Sequence, residues 1–223
     1  MKSIVIPAYN EAENIERVVN AVLELGDMEV IISDDGSTDG TGDIARRLAE
    51  LENVLFTSGK HRGKGAAIKR GLRIARGDVM GFLDADMSAH PDELLKLFKE
   101  IDNGTDVAIG SRDLPGSVIP AKQPMYRGFL GYGYRTLARL LFKIDIMDFQ
   151  CGLKVFKREV WDNITVETDG FAFDTELIAK AHKRGYAIKE VPITWQNFPK
   201  SRVNPVLDSI KMFLELIEIR SRI

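Results

Sequence analysis

Two aspartates one residue apart, Asp84 and Asp86, follow the apolar run Val79-Met80-Gly81-Phe82-Leu83. Alternation along an extended chain points both carboxylates the same way. Like charges that close repel unless a cation lies between or beside them. A hard divalent cation, Mg²⁺ or Mn²⁺, takes oxygen ligands and commonly bridges to phosphates, and this pair could hold one. A strand end followed by a helix cap with two solvated carboxylates fits the dipeptide alone equally well. The surrounding segments move the balance.

Pro7-Ala8-Tyr9-Asn10-Glu11 follows another apolar run without glycine, so the backbone cannot hug a pyrophosphate as a Gly-x-Gly-x-x-Gly turn does. Tyr9 offers an aromatic face for a base and Glu11 an acceptor, although a helix cap with a surface tyrosine explains the same residues. Asp34-Asp35-Gly36-Ser37-Thr38-Asp39-Gly40-Thr41 puts carboxylates before a glycine-relaxed turn, where an acidic side chain can accept from ribose hydroxyls or a base N–H. The segment 60–67, with Lys60, His61, Arg62 and Lys64 among glycines, opens a helix and suits an anion. It lacks the spacing of a P-loop.

These residues need elements to place them. Apolar patterning predicts strands over 3–6, 30–33, 54–56, 79–83 and 107–110. Between them it predicts a helix capped by Asn10 in a capping box with Glu13, a helix carrying Ile44, Leu48 and Leu51, and helices over 66–76 and 92–103. Strict alternation implies right-handed crossovers and a mainly parallel sheet with helices on both faces. Ligands then bind at the carboxyl ends of the strands, where segments 7–11, 34–41, 84–86 and 111–112 fall. After Arg112 the alternation stops. A Pro/Gly loop covers 113–124, and an amphipathic helix is predicted over 125–143. A last helix starts at Asn204-Pro205 and buries Val206, Ile210, Phe213, Leu214 and Ile217.

The chain has 223 residues, enough for one sizeable domain. Its 31 basic and 33 acidic residues give a net charge of -2, so no global field points to nucleic acid. Residues 112–158 are locally basic, with nine Lys/Arg, three Asp and no Glu. The single cysteine, Cys151, excludes an internal disulfide and fits a reducing compartment. There is no signal-peptide pattern and no apolar stretch of the roughly 20 residues a bilayer span needs. The expected location is therefore cytoplasmic or facing the cytoplasm.

Taken together, segments 7–11, 34–41, 63–67, 84–86 and 110–112 resemble the family 2 glycosyltransferases of GT-A fold, in family order and over nearly the whole chain. Segments 148–154 and 170–176 look like the branch that transfers sugars to polyprenyl phosphates, more like dolichyl-phosphate glucosyltransferases than mannosyltransferases. The resemblance implies one glycosyltransferase domain over 1–223, with 1–112 binding the nucleotide sugar and 113–223 the acceptor. It implies Pro7, Tyr9, Glu11 and Asp35 around base and ribose, and Lys64 and Ala85 also on the donor. Asp84 would lie by ribose and diphosphate, and Asp86, with Asp84, on the metal. Arg112 and Arg127 would sit near the donor diphosphate and acceptor phosphate, while Ser201 and Arg202 close over the diphosphate. Ser88 stands where the mannosyl branch tends to have Gln, and is a shorter, weaker ligand.

A lipid phosphate is already an anionic nucleophile, so such a site requires no general base and attack inverts the anomeric carbon. Asp174 and Glu176 could mimic a base, but a helix-cap or ion-pair role fits them as well. UDP-glucose is the expected donor, with GDP-mannose as the alternative. From other classes, an Asp-x-Asp phosphatase or a silent sugar-nucleotide-binding module fits the same pair. In the 125–143 helix, Arg135, Arg139 and Lys143 recur at i, i+4 and i+8 beside Phe129, Tyr132, Leu137, Leu140 and Leu141. That pattern suits an interfacial helix on anionic lipid, or equally one packing a single face on the sheet.

Overall fold

A computed structural model describes residues 1–120, 125–196 and 207–223, with side chains except those of 125–130 and 207–210. Among the described residues seven strands form one sheet in the order β3-β2-β1-β4-β6-β5-β7. The elements are β1 Lys2–Ala8, α1 Ile15–Leu23, β2 Met28–Asp34, α2 Thr41–Leu48, β3 Val54–Ser58, α3 Lys64–Leu72, β4 Val79–Leu83, α4 Glu93–Asp102 and β5 Val107–Ser111. Then come α5 Met125–Phe142, β6 Leu153–Lys157, α6 Arg158–Asn163, α7 Phe173–Lys183, β7 Ile188–Pro192 and α8 Leu207–Arg222. This is the mixed α/β architecture of the GT-A fold.

Burial explains why the first-half strands read as unbroken apolar runs. Ile4, Ile6 and Ala8 of β1 join Val30 and Ile32 of β2 in a core shared with α1, α2 and α4. Val5 and Ile31 point to the other core, against α3, α5, α7 and α8. A strand covered on both faces has no polar side to show. The pairings β1–β2, β1–β4, β2–β3 and β5–β7 are parallel, as alternation requires. The exception is β6, which runs antiparallel between β4 and β5.

Sequence patterning found neither β6 nor β7. In β6 the run Leu-Lys-Val-Phe-Lys carries Lys154, which is fully buried in the sheet rather than marking a solvent face. Other departures have local causes. Asn10 does not cap a helix: it sits at φ 56 and its Oδ1 accepts from Thr38 N at 2.7 Å, so α1 begins only after Asn14. Leu51 falls outside α2 and is 45% exposed. Helix α3 stops at Leu72, and beyond it Arg76 and Gly77 are tied to the amino-terminal ends of β2 and β1. There Arg76 N donates to Glu29 at 2.8 Å and Gly77 N to Ser3 Oγ at 2.7 Å.

The apolar face expected for the last helix is also corrected. Among its described side chains Leu216 and Ile219 are fully buried, whereas Leu214 and Ile217 are 58% and 62% exposed. Phe213 meets the Tyr134 ring edge-on at 5.7 Å, joining α8 to α5. Val206 and Ile210 lie outside the described side chains. On α5, Arg135 is held by Asp113 and by the Met147 carbonyl and is largely covered, whereas Arg139, paired with Asp145, stays 40% exposed.

Candidate active site

The carboxyl ends of β1, β2 and β4 open on one side of the sheet, and the loops there are stitched to each other. Asn10 N donates to Ser37 Oγ at 2.7 Å and Glu11 N to Thr41 Oγ1 at 2.8 Å. Asp39 accepts from Thr41 N and Ala12 N; burial works against the ionised form, but these bonds hold its carboxyl below the usual range. Much of the 34–41 acidic motif therefore serves to fix loop geometry.

On the base side, Tyr9 stacks on His61 with ring centroids 4.1 Å apart and planes 22° from parallel. His61 Nδ1 lies 2.9 Å from Asp35 Oδ2. Asp35 is buried and also accepts from Gly63 N at 2.7 Å and Arg62 N at 3.1 Å, with Arg70 at 3.4 Å. The structure thus brings Tyr9 and Asp35 together through His61, which the sequence grouped with the cationic start of the helix and not with the base. Pro7 is the half-buried penultimate residue of β1, and the Glu11 carboxylate accepts from Asn14 Nδ2 at 2.7 Å.

On the phosphate side, Ala85 is packed into the core while Asp84 and Asp86 remain partly open beside it. Asp84 lies where Gly152 lacks a side chain: a Cβ there would fall 1.7 Å from Asp84 Oδ2. Lys64 Nζ sits 2.7 Å from Asp84 Oδ1 and 3.8 Å from Asp174 Oδ2. Asp174 in turn pairs with the buried Lys154 at 2.6 Å. An alternating row of charges, Asp84–Lys64–Asp174–Lys154, therefore leads from the strand end into the core. Burial lifts the Asp84 carboxyl above its ordinary value and the Asp86 and Asp174 charges add to this, against the pull of Lys64. Burial works to lower the Lys64 ammonium, yet Asp84, Asp174 and Asp86 together carry it upward.

Among the described residues no cluster of three or more His, Cys, Asp or Glu could hold a metal alone. Two carboxylates can hold one in partnership with substrate oxygens, the way Mg²⁺ is usually held. Asp86 Oδ1 accepts from Ser88 N at 2.9 Å, which orients the carboxylate. Ser88 is buried and supplies this backbone N–H. Asp84 and Asp86, as hard oxygen donors beside the Gly152 gap, fit Mg²⁺ or Mn²⁺.

Two expectations for cations come out differently placed. The start of α3 is not open to an anion: Asp169 O accepts from Ala66 N at 3.0 Å, and a Cβ on Gly65 would lie 2.7 Å from Phe173 Cβ. Arg112 forks onto Asp148, Nε to Oδ2 at 2.6 Å and Nη2 to Oδ1 at 2.8 Å. Burial alone would raise the Asp148 carboxyl, but the guanidinium beside it holds it at about 2. Arg127, Ser201 and Arg202 lie outside the described side chains.

Known proteins place this arrangement. The chain is 34% identical over 227 residues to the glycosyltransferase AglD of Haloferax volcanii, covering 96% of this chain but only 36% of that protein. It is 36% identical to the polyprenol monophosphomannose synthase of Mycolicibacterium smegmatis, covering 86% of this chain and 76% of the relative. With the dolichyl-phosphate beta-glucosyltransferase of Dictyostelium discoideum it shares 31% identity, covering 99% and 74%. The crystal structure of glucosyl-3-phosphoglycerate synthase from Mycobacterium tuberculosis with Mn²⁺ and UDP superposes with a TM-score of 0.77 at 22% identity, covering 99% and 80%. That likeness speaks for the fold. The sequence model of Glycosyl transferase family 2 matches residues 3–165, which span the paired aspartates and every strand end lining the crevice. By that match and those identities, the chain belongs to glycosyl transferase family 2.

Proposed function

We propose that this protein transfers a hexose, with inversion, from a nucleoside diphosphate sugar to a polyprenyl or dolichyl phosphate, with UDP-glucose the preferred donor. One observation carries the acceptor class. Asp174 and Glu176, the two carboxylates that the sequence offers as a general base, are already committed: Asp174 to Lys154 at 2.6 Å, and the buried Glu176 to Lys180 at 2.6 Å. A hydroxyl acceptor would need a base to take its proton, whereas a phosphate monoester arrives as an anion. The relatives that act on dolichyl phosphate and polyprenol support the same class by name.

In this reading Tyr9 and Asp35 receive the base and ribose, and Asp84 and Asp86 face the diphosphate. Asp86 and Asp84 would hold a divalent cation, which would supply positive charge against the leaving diphosphate. Lys64 supplies a second positive charge from α3, while the Asp148-bound Arg112 offers the diphosphate only its outer edge. Ser201 and Arg202 are assigned to closure over the diphosphate, and Arg127 to the acceptor phosphate.

The acceptor stays in a bilayer, so the enzyme must reach the headgroup plane. No described helix is long and apolar enough to cross a membrane. Tyr132 and Leu140 on α5 are 61% and 75% exposed, and with Leu214 and Ile217 on α8 they supply apolar surface for interfacial contact. Attachment at the cytoplasmic face, by apolar residues rather than an arginine stripe, is the reading we favour.

The test is product formation from radiolabelled UDP-glucose or GDP-mannose with polyprenyl phosphate. Lipid-phosphate glucose should form, Asp86→Ala should abolish it, and chelator should do so reversibly. Mannose transfer in preference to glucose would overturn the donor assignment. Full activity in excess chelator would overturn the metal role.

A further inference from the structure

Lys64 stands at the first position of α3 with its side chain 14% exposed, and its ammonium lies on the carboxylate assigned to the metal. Its position is narrowly defined. Below it lies the fully buried Phe82, whose ring centroid is 5.9 Å from Lys64 Nζ and 5.5 Å from Lys154 Nζ. To one side is Asp84 at 2.7 Å and to the other Asp174 at 3.8 Å. Asp174 is already satisfied by Lys154, so Lys64 is not needed there. Asp84, by contrast, has Asp86 as a like-charged neighbour and Lys64 as its cationic partner.

We propose that Lys64 is an internal counter-ion that occupies the cation's place at Asp84 until a nucleoside diphosphate arrives, so that metal and nucleotide bind together rather than singly. A lone divalent cation would have to displace an ammonium from Asp84 and then sit within a few ångströms of it. A diphosphate changes the balance by adding negative charge and oxygen ligands. Lys64 can then leave Asp84 for the diphosphate or for Asp174 Oδ2 without becoming an unpaired buried charge. The inference rests on the metal-dependent reading above.

Mn²⁺ binding, read by electron paramagnetic resonance or calorimetry without sugar transfer, tests it. Wild type should bind Mn²⁺ weakly alone and much more tightly with UDP. Removing the charge in Lys64→Met should tighten binding of Mn²⁺ alone by at least about tenfold, because a unit charge within several ångströms of a divalent ion is worth more than that at protein dielectric. Lys64→Arg, which keeps the charge, should stay near wild type. Wild type gives a second measurement: the hydrogen-bonded Lys64 ammonium signal in ¹H–¹⁵N spectra should move with Mg²⁺ plus UDP and hold with Mg²⁺ alone. Equal Mn²⁺ affinity in Lys64→Met and wild type, or an ammonium signal indifferent to Mg²⁺ plus UDP, overturns the counter-ion role and leaves the metal reading standing. Failure of wild type to bind Mn²⁺ even with UDP overturns the metal reading and the inference with it.

Discussion

Asp148 shows how a single side chain organises the chain that follows β5. It accepts from the Arg112 guanidinium twice and from Arg112 N at 3.1 Å, while Glu190 accepts from its own N–H at 2.9 Å. Removing one partner of such a buried pair leaves the other charge uncompensated. Asp148→Ala should therefore cost about 3 kcal/mol at neutral pH, measured by urea unfolding. The acid dependence has a definite sign. Asp148 is held at about 2 in the folded protein against an ordinary 3.8, so its contribution is complete above 3.8 and is lost as pH falls through about 2. The stability gap between wild type and Asp148→Ala should shrink over that interval; a constant gap would deny the pairing. The paired carboxylates Asp84 and Asp86 were readable from sequence because two like charges beside an apolar run are anomalous. Their partners were not. Lys154 is 20 residues from Asp174 and Lys64 is 20 from Asp84, and only the fold makes them neighbours.

Among elements, the start of α3 and the loop at 167–173 are locked together, and α8 closes on the same loop. Glu215 accepts from Ala172 N at 3.3 Å, and a Cβ on Gly170 would lie 2.7 Å from its Oε1. Gly65→Ala would force a Cβ against Phe173 Cβ and the Thr168 and Gly170 carbonyls. Overpacking of this kind should cost roughly 1–3 kcal/mol and, by shifting Lys64, weaken UDP binding. Calorimetry beside a thermal melt would detect both, and unchanged UDP affinity would separate Lys64 from the donor. The outward face of α5 and α8 makes a different prediction. Replacing Leu140, Leu214 and Ile217 with Ser should reduce binding to anionic vesicles severalfold and spare UDP affinity, since all three side chains are exposed and packing changes little. Equal vesicle binding would remove the interfacial role. The face of α8 was hard to read because Phe213, Leu214, Leu216, Ile217 and Ile219 surround the helix rather than forming one stripe. The first-half elements were legible for the opposite reason: the strands are short unbroken apolar runs, and the helices between them carry one apolar face each.

At the scale of the whole molecule, the division at residue 112 into donor and acceptor halves cuts through hydrogen-bonded structure. Within the described sheet β5, although it belongs to the first half, pairs only with β6 and β7. β4 likewise borders β6 on one side. A fragment of residues 1–112 should therefore fail to give a cooperative urea transition and should aggregate, through its exposed β4 edge and unpaired β5. A soluble, cooperatively folding fragment would contradict this topology. The same arrangement sets a schedule for the ribosome. β5 is synthesised before either of the strands that will flank it, and β6 begins only at residue 153. At roughly 5–20 residues per second, the nascent chain spends several seconds with an apolar strand that has no neighbour to join. Residues 113–152, whatever they contribute to the acceptor site, also time that exposure, so lengthening this stretch would prolong the interval in which a chaperone has to guard it.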